Sequence, residues 1–317
     1  MSWECYHMLE QNVIIITIFT ILASLIFILF SYYYYKKLEK ERLEFFKNKE
    51  IYLNDNVLSK NLSQYLEKTD NKQQNLLLMG DDFNNIAIFH QNNGQFNLAL
   101  KNFEKALEIY RKIGYKVGEG NVLGSIALLS ERNGEFDKTQ MYFEKALQIH
   151  REIEDKTAIA EDLFRIGRVL RDKGNFDQSI EYFNQALEIE TEINNKWKMA
   201  NILGSIGLSY LRQNKFEKAQ KYFEDALIIH KEVANKQAIA GDFGNLGLIY
   251  LRTEKYDQAL PFFEKTLTIH QEKGDKLGEA KAWSNIALVY QKQGDLKNAL
   301  KYSQMAVDIL IKNGGRV

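Results

Sequence analysis

From Leu78 onward the sequence repeats itself every 40 residues, with no insertion or deletion, through Val317. Six copies result: 78–117, 118–157, 158–197, 198–237, 238–277 and 278–317. The segments NGQF (93–96), NGEF (133–136), KGNF (173–176), NKFE (214–217), EKYD (254–257) and QGDL (293–296) mark one shared turn. Behind it recur FEKALEI (103–109), FEKALQI (143–149), FNQALEI (183–189), FEDALII (223–229) and FEKTLTI (263–269). Units this small cannot bury an apolar face alone. They must stack, and stability must accumulate between neighbours.

Each copy reads as two helices. Leu203, Ile206, Gly207 and Tyr210 give one apolar row at i, i+3, i+4, i+7, and Phe216, Ala219, Phe223, Ala226 and Leu227 give a second. The chain has one proline, Pro261, which favours uninterrupted helices. Pairs such as Asp155-Lys156, Asn195-Lys196, Asn235-Lys236 and Asp275-Lys276 suit a turn followed by a helix start. Small residues recur where helices must approach closely: Ala127, Gly167, Gly207, Gly247 and Ala287 on the first helix, Ala106, Ala146, Ala186 and Ala226 on the second. Leu123, Leu163, Leu203, Phe243 and Trp283 supply bulk beside them.

This order of small residue, tyrosine, glycine turn, aromatic and alanine resembles the tetratricopeptide repeat, in its longer, 40-residue variety, over about three quarters of the chain. The resemblance implies an all-α fold in which six helical hairpins wind into a right-handed α-α superhelix, a solenoid. The usual proline near the repeat end is absent (Arg111, Arg151, Thr191, Lys231, Gln271), which predicts longer second helices. Thr266 replaces an alanine and Ser303 an aromatic, which predicts looser packing at the C-terminal end.

Residues 13–35, VIIITIFTILASLIFILFSYYYY, carry no charge and would span roughly 35 Å as a helix, enough for a single transmembrane helix. Residues 1–12 hold no Lys or Arg, so an uncleaved anchor fits better than a signal peptide. Lys36, Lys37, Lys40, Arg42, Lys47 and Lys49 follow the span. The positive-inside rule then places the N-terminus outside and the repeats in the cytoplasm. Residues 36–77 read as a charged helical linker, with Val57 to Leu66 capping the first repeat and a polar break at Asp70 to Asn75.

Composition narrows the function. Forty-two basic and 42 acidic residues cancel, so nothing points to nucleic acid. The lone Cys5 permits neither an intrachain disulfide nor a cysteine-based zinc site. No phosphate loop, dinucleotide fingerprint or hydrolase motif occurs, and the expectation is a binding protein with no enzymatic activity, cofactor or metal. His150, His230 and His270 share one repeat position, but stacked repeats hold them too far apart to ligate one ion.

The resemblance implies that first helices build an inner wall, a peptide-binding groove. Its positions here include Asn85, Ser125, Arg165, Ser205, Asn245 and Asn285, with Ile88, Leu128, Arg168, Leu208, Leu248 and Leu288 beside them and Arg132, Arg212, Arg252 and Lys292 near the helix ends. Asn amides offer donors and acceptors to an extended backbone, and the Arg row suits carboxylates. Where the first lysine of the chaperone-tail clamp is expected stand Asn84, Gly124, Phe164, Gly204, Gly244 and Ser284, and the first clamp asparagine is also missing, so a chaperone tail is not the expected ligand. The partner expected is a protein or peptide segment held at the membrane. A second reading is a scaffold that self-associates as a homo-oligomer through the C-terminal repeat, where Ile309-Leu310-Ile311 precedes KNGGRV. A third is a regulatory subunit of an enzyme encoded separately.

Overall fold

A computed structural model describes residues 72–313. The anchor at 13–35, Cys5, the linker up to 71 and residues 314–317 lie outside the described residues. Among the described residues no helix is long and apolar enough to cross a membrane.

Twelve α-helices follow one another: α1 Lys72–Asn92, α2 Phe96–Ile113, α3 Lys116–Arg132, α4 Phe136–Glu152, α5 Lys156–Asp172, α6 Phe176–Glu192, α7 Lys196–Arg212, α8 Phe216–Glu232, α9 Lys236–Arg252, α10 Tyr256–Lys273, α11 Lys276–Gln293 and α12 Leu296–Lys312. They form six hairpins in a solenoid, and helices pack almost entirely on their neighbours in sequence. The expected polar break differs: Lys72 to Asn75 lie within α1, so residues 72–77 belong to the first hairpin. That stretch, KQQNLL, contains no Gly or Pro to stop a helix.

Both kinds of turn use the same device. One or two residues after each of α1 to α11 a residue takes positive φ and its amide closes back on the last turn, as where Ala234 N–H donates to the Lys231 carbonyl and Asn235 N–H to that of His230. Glycine fills this place at 94, 134, 174 and 294 within hairpins and at 114 and 274 between them. Asn214, Glu254, Glu154, Asn194 and Ala234 fill it elsewhere, at φ between 53° and 59°. On the far side, Asp155, Asn195, Asn235, Asp275 and Asp295 cap the next helix by accepting from a backbone amide three residues on.

Inside the third, fourth and fifth hairpins a phenylalanine of the second helix lies against the small residue of the first. The rings of Phe183, Phe223 and Phe263 press on Gly167, Gly207 and Gly247 so closely that a Cβ there would lie 2.7 to 3.0 Å from ring carbons. These rings and Phe103 are fully buried. Burial of an aromatic side chain is among the largest single contributions a core residue makes. Thr266 does not loosen its repeat: it is buried, and its hydroxyl donates to the Phe262 carbonyl at 3.0 Å. At the other predicted weak point, Ser303 is exposed, and α12 buries only Ala299 and Ala306.

Candidate functional site

The first helices share one face, and between α3 and α5 that face opens into a hollow of about 360 Å³. Gly120, Asn121, Gly124, Ser125 and Leu128 of α3 form one wall, and Thr157, Ala158, Glu161, Asp162 and Arg165 form the other. Phe143 and His150 of α4 lie between them, and Lys198 of α7 reaches in from the next repeat. The hollow exists because α3 lacks side chains where the helix faces inward. A Cβ on Gly124 would meet nothing within 4 Å, whereas one on Gly120 would run into His150.

Charge in the walls is tightly coupled. Arg165 Nε donates to Glu161 Oε1 at 2.8 Å, and Lys198 Nζ lies 3.3 Å from Glu161 Oε2 and 3.3 Å from buried Glu190. Burial pushes the Glu161 carboxyl up, but Arg165 and Lys198 together hold it below the usual carboxylate range. His150 Nδ1 and Asp162 Oδ2 share a hydrogen bond of 2.6 Å, with both residues buried. Burial raises the Asp162 carboxyl, and the histidine contact does not offset it. His150 Nε2 is packed against Gly120 and, like His230 Nε2, has no hydrogen-bond partner among the described residues. The same pair recurs two repeats on as His230 and Asp242, again at 2.6 Å. His270 Nδ1 lies 2.9 Å from Asp275 Oδ2, but out of hydrogen-bonding alignment. Among the described residues no three potential metal ligands cluster.

Of the residues singled out from sequence as groove candidates, Arg165 lines the hollow. Arg168 on the same helix is spent on Glu131, 3.3 Å away on α3, and so braces two repeats. Arg132, at the end of α3, lies over the Phe96 ring at 5.7 Å. Arg212, Arg252 and Lys292 are exposed at the ends of α7, α9 and α11. Asn85 is exposed on α1, while Asn245 and Asn285 are half-buried. Leu208 and Leu248 pack against core clusters. Gly120, Glu161, Asp162 and Lys198 also line the hollow and are not among the residues that the repeat pattern singles out, and Gly124 stands out in sequence only as a missing clamp residue. The available signal was glycine at both 120 and 124, where every other copy has glycine at one of the two places at most.

A family model for the tetratricopeptide repeat matches residues 83–152, 118–192, 157–232, 198–272 and 239–312. Among solved structures, the chain is similar to BtubC (BKLC) from P. vanneervenii, with 23% identity over 68% of this chain and 91% of that one, at a TM-score of 0.60. It is similar to the apo form of RapI, with 18% identity over 74% and 99%, at 0.61. It is also similar to a Rap protein complexed with Competence and Sporulation Factor, with 18% identity over 86% and 81%, at 0.57. At these identities the likeness concerns the fold. No curated protein matches the chain by sequence. The overlapping matches run without a gap from residue 83 to residue 312, and the chain belongs to the tetratricopeptide repeat family.

Proposed function

We propose that this chain is a non-catalytic interaction adaptor that takes a peptide or protein segment on the face of its first helices and holds it at a membrane. The observation that carries the binding part is the hollow between α3 and α5. An open recess with a few polar groups in its walls is how proteins accommodate a partner's side chains. The similar Rap protein, solved with Competence and Sporulation Factor, lends this reading support from a protein of the same fold. The membrane part rests on the uncharged run at 13–35 and the basic residues after it.

Photo-crosslinking tests the face. A photoreactive residue at Ser125 or Asn245 should trap a partner in cells, and one at Lys145 or Glu224, on second helices, should not. Adducts arising only from the second-helix positions would overturn the reading. The anchor is tested by membrane fractionation: the full chain should stay with membranes through an alkaline wash, and its repeats should resist external protease until the membrane is opened. Release by the wash would remove the anchor from the account.

One observation favours self-association as a second reading. Met305 and Ile311 stand on α12 where the other five copies carry polar residues, and Leu300 and Ile311 are 71% and 69% exposed. Light scattering of the full chain in detergent should then show a dimer that Leu300→Lys with Ile311→Lys dissolves. A monomeric wild type would end this reading.

A further inference from the structure

The hollow has an internal counterpart that is filled. Forty residues on from Gly124 stands Phe164, and forty on from Phe143 stands Phe183. The Phe164 ring lies 5.6 Å from that of Phe183, tilted at 45°. In the repeat before, Phe143 lines the hollow and Gly124 contributes no side chain above it. The protein therefore contains, one repeat away, a picture of what fits in this space.

We propose that the hollow between α3 and α5 is the anchor subsite of the binding face, and that its occupant is an aromatic side chain of the bound segment, seated over Phe143 as Phe164 is seated over Phe183. This rests on the reading of the first-helix face as the docking face. Two features besides the glycines support an external occupant. The hollow is open to the face along which a segment would run. Its floor is an aromatic ring, which an incoming ring contacts in a tilted or offset geometry. Asn121 and Ser125 at the rim are placed to meet the backbone on either side of the anchor.

The test uses the full chain in detergent and a library of random displayed dodecapeptides. Selected peptides should share an aromatic residue at a fixed position. Changing it to alanine should weaken binding about tenfold or more, the scale set by burying one aromatic side chain. Gly124→Phe, which installs the plug that the next repeat already has, should produce the same loss while circular dichroism and melting stay as in the wild type. Phe164→Gly, which opens the equivalent space over Phe183, should add a second saturable site for N-acetylphenylalaninamide. Peptides that crosslink at Ser125 but bind without an aromatic, or bind Gly124→Phe undiminished, would overturn the anchor and leave the docking face standing. A library yielding no peptide that crosslinks at Ser125 would bring down both.

Discussion

At the residue scale, the unusual groups are the buried His–Asp pairs between repeats. Asp162 and Asp242 have carboxyl pKa values raised by burial, so the folded chain holds those protons more tightly than the unfolded chain does. Such a group adds stability below the ordinary aspartate value, about 3.9, and that contribution is lost as pH rises through the raised value. Asp162→Asn with Asp242→Asn removes the charge and keeps an acceptor for each histidine. The melting temperature of the double variant minus that of the wild type should therefore increase as pH rises from about 4. A difference that is flat with pH would show that the two carboxylates ionise normally. These pairs also show what a sequence conceals. The histidine column was visible at its period, but its partners sit 12 residues away on the next helix at a position that holds Asp in only some copies. Arg168 looked available for a ligand because Glu131, its partner, is 37 residues off in the chain.

At the element scale, the helices and turns were legible almost throughout, because many boundaries are written locally: an Asn or Asp cap ahead of five helices, and a glycine or asparagine at most of the positive-φ turns. Three positions break the local rule, Glu154, Ala234 and Glu254, and the last two give predictions. Ala234 sits at φ 53° and Glu254 at φ 59°, where a Cβ costs about 1 kcal/mol. Ala234→Gly and Glu254→Gly should each raise stability by about that amount in chemical denaturation, since other copies already use glycine there. No gain at either position would mean that the neighbouring helices relieve the strain. The cap runs the other way. Asn235 accepts from Ala238 N–H at 3.2 Å, so Asn235→Ala should cost about 1 kcal/mol and speed hydrogen exchange in the first turn of α9. The hollow was not legible at this scale, because it is made by two missing side chains on one helix, a ring from a second and charges from two others.

At the scale of the whole array, contacts decide how damage spreads. Apart from sparse contacts between first helices (α5 with α7, and α7 with α9), each helix touches its chain neighbours. Ion pairs such as Lys156–Glu192, Lys196–Glu232 and Lys236–Glu272 tie the corners of successive repeats at 2.7 to 2.9 Å. They are exposed and contribute little. Coupling therefore runs through the apolar clusters, and these are local. Phe183 belongs to one that spans Ala127 to Ile206, whereas Phe263 belongs to another that spans Leu251 to Val289. Truncating a fully buried phenylalanine costs about 3–5 kcal/mol. In an array with nearest-neighbour coupling that loss stays near its origin and can divide unfolding into steps. Phe183→Ala should remove hydrogen-exchange protection from α5, α6 and α7 first, while α10 and α11 keep theirs, and denaturation should show two transitions. Phe263→Ala should expose α9 to α11 and leave α3 and α4 as they were. If either variant instead lost protection evenly from α2 to α11 in one transition, the array would be a single cooperative core, and the separate clusters would not be separate in energy.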